Sequence, residues 1–188
     1  MEQEKLLRSI GRALGKLEIP YLITGGIAVV VWGRPRFTAD IDVVIELLPK
    51  KANRLAGELE KIDKEIRVDR DQIYDALRRR GEFNFIHPAS GLKVDFWLLK
   101  DEPFDRERMR RRIIRRIANQ TLYFSSPEDL ILVKLMWHKE SQSTRQLEDI
   151  ESILRIQKKL DMRYIKKWAA SQTTLQTFRS LVQRMKKS

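Results

Sequence analysis

The sequence predicts a mixed α/β fold of the α+β type, in which a small mixed β-sheet with helices precedes a C-terminal helical cluster. Three observations predict it. Short β-branched runs alternate with helical patterns over residues 1–100. Helical patterns dominate the chain after residue 126, and no long linker separates the two parts. We therefore expect a core domain at 1–100 and a basic, mostly helical part at 101–188 packed on it.

The first part begins with a helix and a glycine turn. Apolar residues at spacings of three and four over 2–17 indicate an amphipathic helix that ends before Pro20. We expect a buried strand at 21–24, from which Gly25-Gly26 turns the chain into a short apolar helix at 27–32. The further predicted elements are a strand at 40–45, helices at 50–62 and 69–80, and strands at 83–87 and 93–99 joined by a hairpin-like turn at 88–91.

The second part begins with an arginine cluster at 106–116 and a short predicted strand at 121–124. Ser126 is a suitable N-cap, Pro127 suits the first helical position, and Glu128 and Asp129 place acids in the first turn. These residues predict a helix start. The predicted helices cover 127–139, the stretch from the polar break at 141–144 to residue 157, 161–170 and 174–187.

The composition excludes several classes of protein. The 188 residues include no cysteine, which excludes a disulfide scaffold, a thiolate zinc site and a catalytic cysteine. The longest uninterrupted apolar run is 27–32, far short of the roughly 18 residues of a membrane-spanning helix. Acids precede any apolar stretch at the N-terminus, which is not typical of a signal peptide. We therefore expect a cytoplasmic protein with no membrane partner.

The positive charge is concentrated in the second part. The formal net charge is +12, of which +3 belongs to residues 1–100 and +9 to residues 101–188. This distribution favours a polyanionic partner, most commonly nucleic acid. For the arginine cluster at 106–116, an RNA backbone, an acidic protein partner and a solvated helix face all remain open.

Two aspartates in one predicted strand are the sharpest chemical feature. Asp40 and Asp42 stand at positions i and i+2, so both project from the same face and are able to share divalent cations. Asp95 lies in an otherwise apolar strand, where an unpaired acid is costly to bury. If the two strands are neighbours, three carboxylates converge and are able to hold two ions about 4 Å apart. The alternative for Asp95 is a salt bridge to Lys93 or to an arginine.

The glycine turn offers a second kind of chemistry. Gly25 and Gly26 follow Thr24 at the start of a predicted helix, where backbone N–H groups and the helix dipole favour a phosphate. A simple tight turn is the alternative. The combination of this turn with three aspartates is more specific than either feature alone.

These motifs resemble a known family. Gly25-Gly26, thirteen intervening residues that end in GRPRFTA, and then DIDVV at 40–44 resemble the signature of the DNA-polymerase-β-like nucleotidyltransferase superfamily. The segments SPEDLILVKL at 126–135 and STRQLEDI at 143–150 are similar to the helical part of bacterial nucleotidyltransferase-like proteins grouped with the AbiEii toxins. The resemblance spans roughly residues 20–170. Many family members carry Gly-Ser in place of Gly25-Gly26, so a serine hydroxyl contact to phosphate is missing here.

The resemblance implies a metal-dependent transfer of a nucleoside monophosphate from an NTP to a hydroxyl, with release of pyrophosphate. It implies two Mg²⁺ or Mn²⁺ ions held by Asp40, Asp42 and Asp95, the last of which would also help to deprotonate the acceptor. The other implied residues are Gly25, Gly26, Arg36 and Thr38 for contacts to the triphosphate, Lys134 as a catalytic lysine, and Asp149 and Arg145 as nucleotide-binding residues of the helical part.

The acceptor is the open part of this hypothesis. The basic second part favours RNA, such as a tRNA end, and the resemblance suggests the toxin of a toxin–antitoxin pair with an antitoxin protein as partner. A protein hydroxyl or a small-molecule hydroxyl is an alternative acceptor. A different class also remains: a catalytically idle nucleotidyltransferase fold that binds a nucleotide or a partner.

Overall fold

The computed structural model describes residues 2–187 and the side chains of residues 2–186. The fold is mixed α/β, which confirms the predicted fold class. No helix in this described stretch is long and apolar enough to span a bilayer. The elements in chain order are α1 (Glu2–Lys16), β1 (Tyr21–Thr24), α2 (Gly25–Trp32), β2 (Asp40–Ile45), a 3₁₀ turn (Pro49–Lys51), α3 (Ala52–Glu60), α4 (Arg70–Arg79), β3 (Glu82–His87), β4 (Leu92–Leu98), α5 (Pro103–Arg110), β5 (Ile113–Ile117), β6 (Gln120–Phe124), α6 (Pro127–Ser141), α7 (Thr144–Ile156), α8 (Met162–Ser171) and α9 (Leu175–Lys187).

Six strands form one mixed sheet in the order β3-β4-β2-β1-β6-β5. The pairs β2 with β4 and β1 with β6 are parallel. The other three pairs are antiparallel, and two of them, β3 with β4 and β5 with β6, are hairpins of consecutive strands. The parallel pairing of β2 with β4 brings together two strands that are separated by about fifty residues in the sequence.

One face of the sheet is an apolar core surface. On β4, the buried residues Val94, Phe96 and Leu98 alternate with residues of the opposite face, as the period of two in a strand requires. Phe96 stacks on Phe83 of the neighbouring strand, with ring centroids 4.9 Å apart. Full burial of one such side chain stabilises the fold by roughly 1.5–3 kcal/mol. The opposite face carries polar residues, and beside them a second buried apolar cluster that contains Leu22 and Val44.

The chain divides into two compact units. The first comprises the described residues up to Ile27 together with Phe37–Ser125, and it contains the whole sheet with α1 and α3 to α5. The second comprises Ala28–Arg36 and the described residues from Ser126 onward, with α6 to α9. Strands β5 and β6 therefore belong to the first unit, together with the rest of the sheet. The sequence analysis instead predicts that the second domain begins at residue 101. That domain boundary stays a prediction.

The arginine cluster contains two elements that the sequence analysis left unassigned. Helix α5 has Pro103 in its first turn and buries Phe104 and Met109, but it is short and rich in arginine, so its apolar spacing is weak. Strand β5 pairs with β6 through a turn in which Ala118 and Asn119 have positive φ values of 42° and 64°. This is the geometry of a two-residue hairpin, although the turn lacks the glycine that usually signals one.

A prediction concerns the start of α6. The Ser126 hydroxyl is buried, accepts a hydrogen bond from the backbone N–H of Asp129 at 3.1 Å and donates one to Asp129 Oδ2 at 2.6 Å. We expect Ser126→Ala to lower the free energy of unfolding by about 1–2 kcal/mol, measured by urea denaturation. Ser143→Ala is the matched control, because Ser143 is the N-cap of α7 but makes no capping hydrogen bond with its side chain. Equal losses in the two variants would contradict the prediction.

Candidate active site

The register of β2 against β4 places the predicted carboxylates side by side. Asp42 stands directly opposite Asp95, and Asp40 stands opposite Lys93. Paired residues of adjacent strands project from the same face of a sheet. The structure therefore confirms that the Asp95 strand neighbours the strand of Asp40 and Asp42. We call the surface formed by Asp40, Asp42, Lys93 and Asp95 the acidic face.

The row that contains Asp42 and Asp95 continues onto both neighbouring strands. Thr24 of β1 is the partner of Asp42, and Asn84 of β3 is the partner of Asp95. Four adjacent strands thus present polar side chains at one level of the sheet. The Thr24 hydroxyl is buried and has no hydrogen-bond partner among the described residues. Such a group is costly unless a ligand or water satisfies it.

Asp95 is the most buried carboxylate of the acidic face, with 6% of its surface exposed. Lys93 Nζ lies 2.7 Å from Asp95 Oδ1, so the salt bridge that the sequence analysis gave as the alternative is present. This oxygen is buried and accepts no hydrogen bond of normal geometry from residues 2–186. The contact with Asp95 raises the pKa of the Lys93 ammonium above its ordinary value and keeps it charged. On the neighbouring carboxylate, Trp97 Nε1 donates to Asp42 Oδ1 at 3.4 Å.

The two glycines bring the backbone close to the acidic face. Gly25 begins α2 with a φ of +61°, and a Cβ atom at this position would overlap the carboxylate of Asp42. A Cβ atom on Gly26 would overlap the hydroxyl of Thr38. Thr38 is itself buried, and its hydroxyl lies 3.4 Å from the backbone oxygen of Asp40. The glycine turn, Thr38 and the aspartates therefore form one site in the first unit, and only glycine allows this close approach.

The acidic face has the donor chemistry of a divalent-cation site. Carboxylate oxygens are the ligands that Mg²⁺ prefers, and the buried Asp95 Oδ1 already has a cation, the Lys93 ammonium, at 2.7 Å. Among the described residues, no group of three or more His, Cys, Asp or Glu side chains is gathered closely enough to hold a metal ion. The residue types thus fit the implied metal, while the side chains of this structure are not drawn together around one.

The second unit contains a separate buried ion network formed by Arg36, Lys134 and Asp149. Arg36 donates to both oxygens of Asp149, at 2.8 and 2.9 Å. Lys134 Nζ lies 2.7 Å from Asp149 Oδ2 and donates to Gln146 Oε1 at 2.9 Å. Asp149 is 2% exposed and Lys134 is 1% exposed. The network combines residues from α6 and α7 with the segment that follows α2.

The network sets the charge state of Asp149. Burial by itself would raise the pKa of this carboxyl, but the hydrogen bonds from Arg36 and the charge of Lys134 outweigh burial and lower the pKa below its ordinary value of 3.8. Asp149 is therefore an anion at neutral pH. Removal of one partner from a buried pair leaves an uncompensated charge and typically costs about 3–5 kcal/mol.

The predicted site residues thus fall into two groups. Gly25, Gly26, Thr38 and the three aspartates lie together in the first unit, whereas Arg36, Lys134 and Asp149 lie together in the second. Arg145 is exposed on α7, one turn before Asp149. The catalytic and binding roles of all ten residues stay predictions.

Sequence reasoning missed Asn84 and Gln146. Asn84 could have been found from the hairpin, because the four-residue turn pairs His87 with Leu92 and this register carries Asn84 to Asp95. Gln146 gives no comparable signal, since its contact with Lys134 depends on how two helices pack.

The arginine cluster is partly neutralised within the first unit. Arg106 pairs with Asp101 and Glu46 at 2.8 and 3.0 Å. Arg108 pairs with Asp105 at 2.6 Å, and Arg110 pairs with Glu107 at 2.8 Å. The density of arginines in the sequence therefore overstates the charge that this segment presents to a polyanion.

Comparisons with known proteins identify solved structures that have a similar fold. No protein-family model and no curated protein matches the sequence. Among solved structures, an antigenic nucleotidyltransferase-like protein from Paracoccidioides brasiliensis is similar with a TM-score of 0.59 and 17% identity over 97% of this chain and 91% of that chain. ANT(2")-Ia in complex with adenylyl-2"-tobramycin has a TM-score of 0.61 and 16% identity over 93% of this chain and 98% of that chain.

A third structure extends the comparison. The lincosamide antibiotic adenylyltransferase LnuA, with lincomycin bound, has a TM-score of 0.55 and 16% identity over 84% of this chain and 98% of that chain. The chain therefore has the fold of nucleotidyltransferase-like proteins. At sequence identities of 16–17%, the likeness establishes the fold alone.

A first prediction from the site concerns Gly25. We expect Gly25→Ala to lower the free energy of unfolding by about 1–3 kcal/mol, because alanine must adopt a positive φ and its Cβ atom meets the Asp42 carboxylate. Urea denaturation measures the change. Gly57→Ala in α3 is the matched control: it has open space around the new methyl group and a helical backbone, so it should be neutral or up to about 1 kcal/mol more stable. A neutral Gly25→Ala would contradict the geometry.

A second prediction concerns pH. Because the folded-state pKa of Asp149 is lowered, its stabilising contribution is present above about pH 4 and disappears as the pH falls through the folded value. We expect the unfolding free energy of the wild type to fall more steeply, as the pH drops below about 4, than that of Asp149→Asn, which should also be about 3–5 kcal/mol less stable at pH 7.

Glu58→Gln is the control for the pH experiment. Glu58 also has a lowered pKa, because Lys61 and Lys16 donate to it, but its surface pairs are solvent-screened. Its pH profile should run nearly parallel to that of the wild type. Parallel profiles for the wild type and Asp149→Asn would count against a dominant role of the ion network.

Proposed function

We propose that the protein is a metal-dependent nucleotidyltransferase that moves a nucleoside monophosphate from an NTP to a hydroxyl acceptor. The single observation that carries the proposal is the register that sets Asp42 opposite Asp95, with Asp40 on the same face and the glycine turn against Asp42. The nucleotidyltransferase-like fold supports it, as does the adenylyl-2"-tobramycin bound in the structure of one neighbour.

The residues of the acidic face have distinct roles in this proposal. Asp40, Asp42 and Asp95 would hold the divalent ions, which supply charge neutralisation of the triphosphate when bound. Asp95 accepts the proton of the acceptor hydroxyl. The hydroxyl oxygen forms a bond to the α-phosphorus of the NTP. The bond from that phosphorus to the oxygen that bridges it to the β-phosphorus breaks, and pyrophosphate leaves. The backbone N–H groups of Gly25 and Gly26, at the start of α2, bind triphosphate oxygens.

Four of the remaining predicted residues, Arg36, Lys134, Arg145 and Asp149, belong to the second unit. Lys134 is buried and paired in this structure, so we assign it a positioning role: it holds Asp149, which in turn holds the guanidinium of Arg36. The nucleotide-binding roles of Arg36 and Arg145 stay predictions, and in the first unit Thr38 braces the loop before Asp40. The narrower likeness to AbiEii toxins, with an antitoxin partner, stays a prediction.

Two acceptor classes have support from particular observations. An RNA end fits the net charge of +9 over residues 101–188, and we test it first. A small-molecule hydroxyl fits the neighbours whose structures contain adenylyl-2"-tobramycin and lincomycin and which align with most of this chain. The net charge of +9 already includes Asp101, Asp105 and Glu107, which pair with three of the arginines, so the charge remains an argument for RNA.

The test is a transfer assay with each of the four α-labelled NTPs, Mg²⁺ or Mn²⁺, and either total RNA or a panel of small polyhydroxylated compounds. We expect label in one acceptor pool, and a loss of at least about 100-fold in Asp42→Asn and Asp95→Asn, which remove proposed metal ligands. Asp75→Asn is the matched control, because Asp75 is a half-exposed helix residue paired with Arg78.

The outcomes separate the hypotheses. Label in RNA favours the nucleic-acid acceptor, and label in the small-molecule fraction favours the second class. Label on the protein itself would indicate a protein hydroxyl. If no acceptor is labelled while calorimetry still detects nucleotide binding, the proposal of a transferase fails and the fold is a nucleotide-binding module.

A further inference from the structure

Lys93 is a cation built into the acidic face. It lies on β4, two residues before Asp95 and directly opposite Asp40, so it projects from the same face as the three aspartates. Its ammonium is 2.7 Å from Asp95 Oδ1. A lysine in this position contributes the charge complement that a metal ion would otherwise provide.

The same ammonium obstructs a metal ion. A divalent cation that binds Asp95 needs the carboxylate oxygens at close range, and a second cation within hydrogen-bonding distance of Oδ1 opposes its approach. The deepest acid of the acidic face is thus engaged by lysine at the oxygen that a metal ion would bind.

Lys93 is the more exposed partner of this pair. The Lys93 side chain is 43% exposed, whereas the Asp95 side chain is only 8% exposed. A lysine has a flexible four-carbon stem and an ammonium that donates in three directions, so it exchanges anionic partners at little cost. Asp95 is fixed in a buried strand position and has no comparable freedom. The lysine is therefore the member of the pair that leaves when another cation arrives.

We propose that Lys93 exchanges partners during substrate loading: its ammonium neutralises Asp95 before the metal–nucleotide arrives, and then contacts the triphosphate. This inference rests on the proposed function. It assigns Lys93 a positioning role with two opposite effects. The lysine weakens the binding of a free divalent ion, with which it competes, and strengthens the binding of a metal–nucleotide, whose phosphates provide the new anionic partner.

The experiment measures both affinities in the full chain. Mn²⁺ alone is titrated by electron paramagnetic resonance, and Mn²⁺ with an ATP analogue that has a methylene bridge between the α and β phosphates is titrated by calorimetry. Relative to the wild type, we expect Lys93→Met to bind free Mn²⁺ about tenfold more tightly and the Mn²⁺–analogue complex about tenfold more weakly. Lys93→Arg retains the charge and should stay near the wild type in both titrations.

Lys61→Met is the matched control. It removes the same charge from an exposed lysine that is paired with Glu58, and it should leave both affinities unchanged. Lys93→Gln repeats the test if Lys93→Met does not fold, which circular dichroism reports. A lysine that merely supports the strand predicts that both affinities fall in the variants.

Several results would overturn the inference: both affinities falling together, neither changing, or no binding of the Mn²⁺–analogue complex by the wild type. Failure of the proposed function is a different result. If no acceptor is ever labelled but the two affinities shift in opposite directions, Lys93 has the inferred role in a binding module. If transfer occurs but the two affinities do not shift in opposite directions, the proposed transferase function is supported and the inferred role of Lys93 is wrong.

Discussion

The parallel pairing of β2 with β4 is the constraint on which the acidic face depends. A shift of one residue in this register would turn Asp95 toward the apolar face and bring Val94 or Phe96 to the side of Asp42. The register is held because Ile41, Val43 and Phe96 are all fully buried on the apolar side. The packing of the core therefore fixes the positions of the carboxylates, although none of the core residues has a chemical role.

The two units of the protein stabilise a buried carboxylate in different ways. In the first, a half-exposed lysine neutralises a buried aspartate, so one partner remains accessible to solvent. In the second, the Asp149 carboxylate is held by Arg36 and Lys134 with hydrogen bonds of normal length. A fully satisfied buried network is rigid, whereas a pair with one exposed partner is able to open. The first arrangement suits a site that must admit a ligand, and the second suits a fixed scaffold.

The structure shows that several arginines of the arginine cluster are paired with acids, which the sequence alone does not reveal. The arginine cluster suggested a surface for a polyanion, but Arg106, Arg108 and Arg110 have carboxylate partners within the same unit. Sequence counts do not reveal such pairing, because acids from distant segments such as Glu46 contribute to it. The acceptor class therefore depends on experiment more than on net charge.

The sequence by itself determined the strand of Asp40 and Asp42, the glycine turn and the helix start at Ser126, because strand alternation, a positive φ and N-capping are all local constraints. Only the tertiary structure decided that Asn84 extends the row of Asp42 and Asp95, that Lys93 contacts Asp95, and that Arg36 joins Lys134 and Asp149. These contacts bring residues from different strands or helices together. Their geometry is set by sheet register and helix packing, which depend on how the whole core is filled and not on any one segment.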